Sequence, residues 1–171
     1  LGKPRTVLTI PAGVTSMERR AHEEALLRAG GKLSYIVEGA IASALGCGLP
    51  VYEPQGSMIV SIGGGTTEIA VVSLGAAVVG KTLRIGGNAM DAAIAAYVKK
   101  EKNLLIGDRT AEDIKIDLGS AMAPVETQKA MMRGRDVVTG LPRTASLDTD
   151  EVYEVLQEPL REIMAAILWV L

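Results

Sequence analysis

The sequence has 171 residues, is 48% hydrophobic and carries a formal net charge of −2 at pH 7, so it can form one substantial core or two small lobes that share one. Its basic residues occur only in short clusters, which argues against the extended positive surface of a nucleic-acid-binding protein. A single cysteine, Cys47, excludes an internal disulfide, and its position among Leu45, Gly46 and Gly48 predicts a small buried thiol. No apolar run reaches the roughly 18 residues of a membrane span. With no signal peptide at the start, we expect a cytoplasmic protein.

The first half of the chain predicts strands alternating with short helices. Thr15, followed three residues later by Glu18, predicts a capping box at the start of a helix. Further along, two apolar runs flank the Gly63–Gly65 triplet and predict two strands joined by a tight glycine turn. The predicted elements are a strand at 7–10, a helix at 15–28, a strand at 33–37, a small-residue helix at 40–45, and strands at 58–62, 68–74 and 77–85.

The second half predicts three helices and a hairpin. Apolar residues recur at helical spacing from Asn88, Thr110 with Asp113 predicts the start of a second helix, and turn signals across 124–147 predict a β-hairpin. The last helix begins near Thr149, and its final turns, 164–171, are apolar on nearly every side. Such a helix is normally buried, so we expect its partners to lie beyond the end of the chain, which would then be a fragment.

The glycine triplet has two interpretations. Because glycine has no Cβ atom, successive glycines can expose their backbone N–H groups and form a concavity that accepts a phosphate. The hydroxyls of Thr66 and Thr67 could then donate to the phosphate or orient a water. No Gly-Lys-Ser/Thr follows, so this is not a Walker A loop. It is not a Rossmann fingerprint either, because a strand follows the turn. On spacing alone, a simple tight turn remains the more common outcome.

The segment 61–74, which contains this turn, resembles the second phosphate motif of the MreB/Mbl family of bacterial actin-like proteins. The similarity continues in one register along nearly the whole chain. It includes Ile10-Pro11-Ala12-Gly13, Glu18-Arg19-Arg20-Ala21, Leu49-Pro50, Gly56-Ser57-Met58, Arg84-Ile85-Gly86-Gly87 with Asp91, the run from Ile106 to Glu112 with Ile114-Lys115, Gly119-Ser120-Ala121, Arg133 to Asp136 and Thr139 to Pro142.

The resemblance implies an α/β fold: a ribonuclease-H-like, actin-type ATPase lobe with a small α+β capping lobe inserted. Residues 1–85 plus 149–171 would form the first lobe (subdomain IIA-like), and residues 86–148 the second (subdomain IIB-like). The family binds ATP with Mg²⁺. By resemblance, Gly63, Gly64, Gly65, Thr66 and Thr67 would hold the phosphates. Glu112 and Lys115 would contact the ribose and adenine. Without the family, that last pair would be an exposed ion pair one helical turn apart.

Two positions depart from the family pattern. The family usually has Asp at position 61, where it helps to hold magnesium through water, and Ser61 has no charge. In an ungapped alignment, Gly39 occupies the position of the glutamate that positions the attacking water. Glu38 can take that role only if the following helix gains a residue. Thr66, whose hydroxyl could orient a water, is the other catalytic candidate. We predict no metal-ligating residue. The hypothesis at this stage is that the protein binds nucleotide and hydrolyses it slowly or not at all.

The resemblance implies a cytoskeletal protein that assembles with itself into filaments and maintains bacterial cell shape with cell-wall synthesis and shape proteins. Membrane contact would come from the half that this chain lacks, and no nucleic-acid partner is expected. Two alternatives remain open. One is a catalytically impaired actin-like scaffold, and the other is a different member of the actin, chaperone and sugar-kinase superfamily.

Overall fold

The computed structural model describes residues 2–11 and 14–171, apart from the side chains of Leu33 and Ser34. The order of elements is β1 (Arg5–Ile10), α1 (Ser16–Arg28), β2 (Lys32–Glu38), α2 (Gly39–Gly46), β3 (Ser57–Ile62), β4 (Thr67–Ser73), β5 (Ala76–Leu83), α3 (Gly87–Lys102), β6 (Leu104–Leu105), α4 (Asp108–Leu118), β7 (Lys129–Asp136), β8 (Pro142–Asp148) and α5 (Thr149–Val170).

The described chain forms two compact units. Unit 1 comprises residues 1–62, 67–83 and 166–171, and unit 2 comprises residues 63–66 and 84–165. Residues 149–165 of α5 therefore pack with unit 2, whereas the predicted lobes place 149–171 in the first lobe. A division of this chain by packing does not test the subdomain boundaries of the family, so the assignment of residues to the two lobes stays a prediction.

Unit 1 contains two small sheets. Strands β1 and β2 pair in parallel, while β3, β4 and β5 form an antiparallel sheet in that order. Strand β4 is central and the most deeply buried, with Ile69 and Val72 at most 1% exposed. Ala166 and Val170 from the end of α5 pack on Ile69, and Ala44 of α2 packs on Val72. The central strand therefore carries the core of this unit.

The predicted capping box is present at the start of α1. The backbone N–H of Glu18 donates to Thr15 Oγ1 at 3.2 Å, and the Glu18 carboxylate accepts from the Thr15 backbone N–H at 2.8 Å. Two backbone donors at the helix start thus have side-chain partners, which is why the spacing located this boundary correctly.

Unit 2 has one continuous core beneath a three-stranded sheet of β6, β7 and β8. The predicted hairpin is confirmed: β7 and β8 pair antiparallel from Lys129↔Asp148 to Arg135↔Pro142. The buried members of this core are Ile94, Val98, Leu104, Ala111, Ile114, Leu118, Met132, Leu147, Val152 and Leu156. Helices α3, α4 and α5 supply most of them, which agrees with the helical spacing in the sequence.

A polar contact joins α3 to α5 within unit 2. Glu151 Oε1 accepts a hydrogen bond from Tyr97 Oη at 2.9 Å and lies 2.6 Å from Lys102 Nζ. Burial, together with Glu151, raises the pKa of Tyr97 to about 12. Burial alone would raise the pKa of Glu151, but the hydrogen bonds from Lys102 and Tyr97 outweigh it, so the pKa lies below its ordinary value of 4.5. The ionised carboxylate is therefore the form that this contact stabilises.

Two sequence expectations were wrong in detail. Helix α4 begins at Asp108, with Gly107 at the N-cap position, instead of at Thr110. Glycine has no side chain that could signal an N-cap. The Thr110–Asp113 spacing therefore placed the predicted start of the helix too far along the chain. Cys47, which we expected to be a small buried thiol, is exposed.

The end of α5 carries exposed apolar side chains. Met164 is 53% exposed, Leu168 67% and Trp169 62%, and Lys81 Nζ lies 5.2 Å from the centre of the Trp169 ring. Among the described residues, no helix combines the length and apolar composition that crossing a membrane requires.

Candidate functional site

The glycine turn between β3 and β4 is the centre of the candidate site. Ile62 pairs with Thr67 at the end of the two strands, and within the turn the Gly63 N–H donates to the Thr66 carbonyl at 2.8 Å. Gly63, Gly64 and Gly65 are all exposed. The turn therefore presents backbone to solvent, as the phosphate interpretation requires.

The start of helix α3 donates hydrogen bonds to two backbone carbonyls of this turn. The Gly87 N–H donates to the Gly63 carbonyl at 2.9 Å, and the Asn88 N–H donates to the Gly64 carbonyl at 2.8 Å. No cis peptide bond occurs among the described residues. A trans peptide directs its C=O and the following N–H to opposite sides. The N–H groups of Gly64 and Gly65 therefore point away from Gly87 and Asn88, and successive N–H groups aimed outward make a concavity for an anion.

Because Gly86 has no side chain, the start of α3 can lie this close to the glycine turn. A Cβ on Gly86 would contact the Gly63 carbonyl oxygen and would lie 2.7 Å from the Gly64 carbonyl oxygen. Its φ of −164° is extended backbone that any residue can adopt. Glycine is required here by space alone.

The two threonines after the triplet lie in different environments. Thr66 is partly buried and borders the turn, whereas the Thr67 side chain is 0% exposed. The Thr66 hydroxyl is accordingly better placed to meet a ligand at the surface. Direct contact by the Thr67 hydroxyl would require surrounding protein atoms to move.

Lys115 lies beside the segment that supports the turn. Its Nζ lies 2.8 Å from Asp91 Oδ1 and donates to the Gly87 carbonyl at 3.2 Å. The side chains of Lys115 and Asp91 are only 20% and 14% exposed. The generic expectation of an exposed ion pair between Lys115 and Glu112 was therefore wrong, because a partner on α3 competes successfully for the ammonium.

Glu112 lies on a groove between α3 and α4. The groove has a volume of about 860 Å³ and is lined by polar residues of both helices, among them Asn88, Asp91, Asp108 and Arg109. Glu112 is exposed on its wall. A groove of this size can accept a nucleoside-sized ligand.

Glu38 and Gly39 face different surroundings within unit 1. The Glu38 side chain is exposed and lines a cleft of about 500 Å³ together with Ile10 of β1 and the Gly75–Ala77 segment that leads into β5. Gly39 lies against Glu68 instead, because a Cβ on Gly39 would lie 2.8 Å from Glu68 Oε2. Glu68 is also the cross-strand partner of Ser61.

Sequence reasoning assigned no role to Glu68. The pairing of Ser61 with Glu68 follows from the short turn, since the register of a hairpin is fixed by its loop. The packing of α2 on β4, which brings Gly39 to the same carboxylate, had no signal in the sequence.

Comparison with known proteins identifies the family. The family model for MreB/Mbl protein matches residues 1–171. The chain belongs to the MreB/Mbl family. It is 45% identical over 165 residues to the cell shape-determining protein MreB of Escherichia coli K12, a match that covers 96% of this chain and 48% of that protein. It is 42% identical over 164 residues to the cell shape-determining protein Mbl of Bacillus subtilis 168, covering 96% of this chain and 49% of Mbl.

Solved structures of the family have the same fold. MreB5 of Spiroplasma citri, crystallised with AMPPNP and with ADP, matches with a TM-score of 0.90 at 36% identity. The match covers 99% of this chain and 51% of MreB5. The α/β, actin-like fold class is thereby confirmed. The chain spans about half the length of the relatives it matches, and the family match does not favour the chaperone or sugar-kinase alternatives.

Proposed function

We propose that this chain contributes one wall of the ATP site of an actin-like filament protein that maintains bacterial cell shape. The observation that carries the proposal is the orientation of the Gly64 and Gly65 N–H groups, which follows from the bonds of the two preceding carbonyls to Gly87 and Asn88. Two structures that share the fold at 36% identity hold AMPPNP and ADP, and phosphate is the ligand that such a turn suits.

The proposal assigns a role to each candidate residue. Gly63, Gly64, Gly65, Thr66 and Thr67 hold the phosphates, Thr67 after a local movement that exposes its buried hydroxyl. Glu112 and Lys115 contact the ribose and adenine, Glu112 from the wall of the α3–α4 groove and Lys115 from its position beside Asp91. Thr66 and Glu38 are the candidates for orienting the attacking water.

Magnesium is expected to arrive with the nucleotide. Among the residues that the structure describes, no group of three or more His, Cys, Asp or Glu side chains is arranged to hold a metal ion. We propose that the nucleotide phosphates carry the Mg²⁺. When bound, the ion would neutralise charge on the phosphates.

The wider role is inferred from the relatives named as cell shape-determining proteins. We expect the intact protein to self-associate into filaments in the cytoplasm. Association with the membrane and with cell-wall synthesis proteins would involve the part of the protein outside this chain.

The test is ATP binding by the intact gene product, compared between two glycine variants. A Cβ on Gly65 or on Gly107 meets no atom within 4 Å, so Gly65→Ala and Gly107→Ala should both fold. Gly65→Ala places a methyl group in the path of the phosphate oxygens and should weaken ATP binding at least tenfold, about 1.4 kcal/mol. Gly107→Ala should bind like the parent. Equal affinities for both variants, or no ATP binding by the parent, would refute the proposal.

A further inference from the structure

Asn88 lies at the boundary between the glycine turn and the α3–α4 groove. Its backbone N–H donates to the Gly64 carbonyl at 2.8 Å, and a Cβ on Gly64 would lie 3.1 Å from Asn88 Oδ1 and 3.8 Å from Nδ2. The same side chain is exposed and lines the groove whose wall carries Glu112. The turn and the groove both belong to unit 2, so this placement is set within one compact unit.

The backbone N–H groups at the start of α3 are already occupied. Those of Gly87 and Asn88 donate to the two turn carbonyls. Those of Ala89 and Met90 donate to the Gly86 carbonyl at 3.1 and 3.3 Å. Free N–H groups at a helix N-terminus are the usual partners of a ligand there. A ligand that reaches the start of α3 therefore meets the exposed side chain of Asn88 instead.

The groove that begins at Asn88 carries an excess of negative charge. Four carboxylates and one guanidinium line it, those of Asp91, Asp108, Glu112, Asp113 and Arg109. Lys115 Nζ, 2.8 Å from Asp91 Oδ1, offsets one of these carboxylates. Such a lining repels a phosphate but does not repel an uncharged sugar or base. The phosphates of ATP should therefore remain at the glycine turn, and the sugar is the part that comes next along the nucleotide.

We propose that the Asn88 side chain recognises the ribose of bound ATP, an inference that rests on the proposed function. The ribose joins the phosphates to the base. Asn88 correspondingly lies between the turn assigned to the phosphates and the Glu112 wall assigned to the nucleoside. A carboxamide has both N–H donors and an oxygen acceptor, and these match the 2′- and 3′-hydroxyl groups, which also donate and accept.

Two other roles for Asn88 make different predictions. A structural residue that holds Gly64 in place would change the affinity for every nucleotide by the same factor, and would change the urea midpoint as well. A phosphate contact would not tolerate a carboxylate at position 88, because a negative charge there repels the phosphates. A ribose contact tolerates one, since carboxylates are common partners of ribose hydroxyls.

The experiment compares the affinities of the intact protein for ATP, 2′-deoxy-ATP and 3′-deoxy-ATP. The parent should prefer ATP to at least one deoxy analogue by about three- to tenfold, the usual effect of one hydrogen bond. Asn88→Ala should weaken ATP binding by about that factor and leave the affinity for that analogue nearly unchanged, so the preference disappears. Asn88→Asp should keep the preference. Neither substitution should lower the urea midpoint, because Asn88 is exposed.

Gln128→Ala is the matched control. Gln128 carries an exposed carboxamide in unit 2, outside the lining of the groove, so its removal should leave the preference for ATP at the parental value. A parallel loss of preference in this variant would show that the effect of Asn88→Ala is not local, and would overturn the inference.

Three further results would overturn the inference while leaving the proposed function intact. They are an Asn88→Ala variant that keeps the parental preference, a parent that binds all three nucleotides equally, and a loss of ATP affinity in Asn88→Asp that exceeds the loss in Asn88→Ala. The last result would assign the Asn88 side chain to the phosphates. A parent that binds no ATP would refute the proposed function, and this inference with it.

Discussion

Substitution of Gly86 by serine tests how the phosphate turn is held in place. Gly86 and Gly107 are both N-cap residues, of α3 and α4, and neither makes a side-chain capping bond. Both have negative φ angles, −164° and −84°, so serine is compatible with either backbone. At an ordinary N-cap, serine in place of glycine is favourable by a few tenths of a kcal/mol. Any penalty specific to Gly86 must therefore come from packing.

The expected penalty follows from the contacts of the added Cβ. It would meet the carbonyl oxygens of Gly63 and Gly64 and lie 3.0 Å from the Gly64 carbonyl carbon. These are backbone atoms, so no side-chain rotation relieves the clash and the turn itself must move. Overpacking typically costs about 1–3 kcal/mol. Loss of the hydrogen bonds from Gly87 and Asn88 adds about 0.5–1.5 kcal/mol each. The total is about 2–6 kcal/mol.

The assay compares Gly86→Ser with Gly107→Ser by urea unfolding and by ATP titration. A Cβ on Gly107 meets nothing within 4 Å, so Gly107→Ser should unfold at or slightly above the parental urea midpoint. Gly86→Ser should unfold at a clearly lower midpoint. Its ATP affinity should fall at least tenfold, because the Gly64 and Gly65 N–H groups lose their common direction. Equal midpoints for the two variants would refute the steric argument, and an unchanged affinity would refute the role of the turn.

Three further predictions concern unit 2. Lys115→Met leaves the Asp91 carboxylate, 14% exposed, without its cation, and should cost about 1–3 kcal/mol of unfolding free energy. Adding Asp91→Asn should recover part of that loss, and a double-mutant cycle with no coupling would contradict it. Ile94→Ala should cost about 2–5 kcal/mol, because Ile94 is 0% exposed, whereas Ile116→Ala, at a 69% exposed position, should cost under about 0.5 kcal/mol. Glu151 has a lowered pKa in the folded protein. Its contribution is therefore present above pH 4.5 and is lost as the pH falls through the folded-state pKa. The difference in stability between the parent and Glu151→Gln should shrink over that acidic range, and a pH-independent difference would contradict the linkage.

Sequence patterns located most of the helices and strands because those patterns reflect local physics. The Thr15–Glu18 box marked the start of α1, and the apolar runs on either side of Gly63–Gly65 predicted the β3–β4 hairpin. The short strand β6 was not predicted, since two residues cannot show a periodicity. Leu104 of that strand is nonetheless fully buried.

The same distinction between local patterns and long-range packing applies to the candidate site. The glycine turn and the residues of the family motifs could be named from the sequence, because short-range spacing sets a hairpin turn and a helical face. The partner of Lys115 could not: Asp91 is 24 positions away along the chain, and its selection over Glu112 depends on how α4 packs against α3.

The sequence by itself determined the order of elements, the glycine turn and membership of the MreB/Mbl family, since each is encoded in contiguous residues. Only the tertiary structure decided which way the turn presents its N–H groups and which carboxylate lies beside Gly39. Both depend on contacts between segments distant in the chain: Gly63 and Gly64 with Gly87 and Asn88, and Gly39 with Glu68. Such contacts are selected by packing, and packing has no local signature in the sequence.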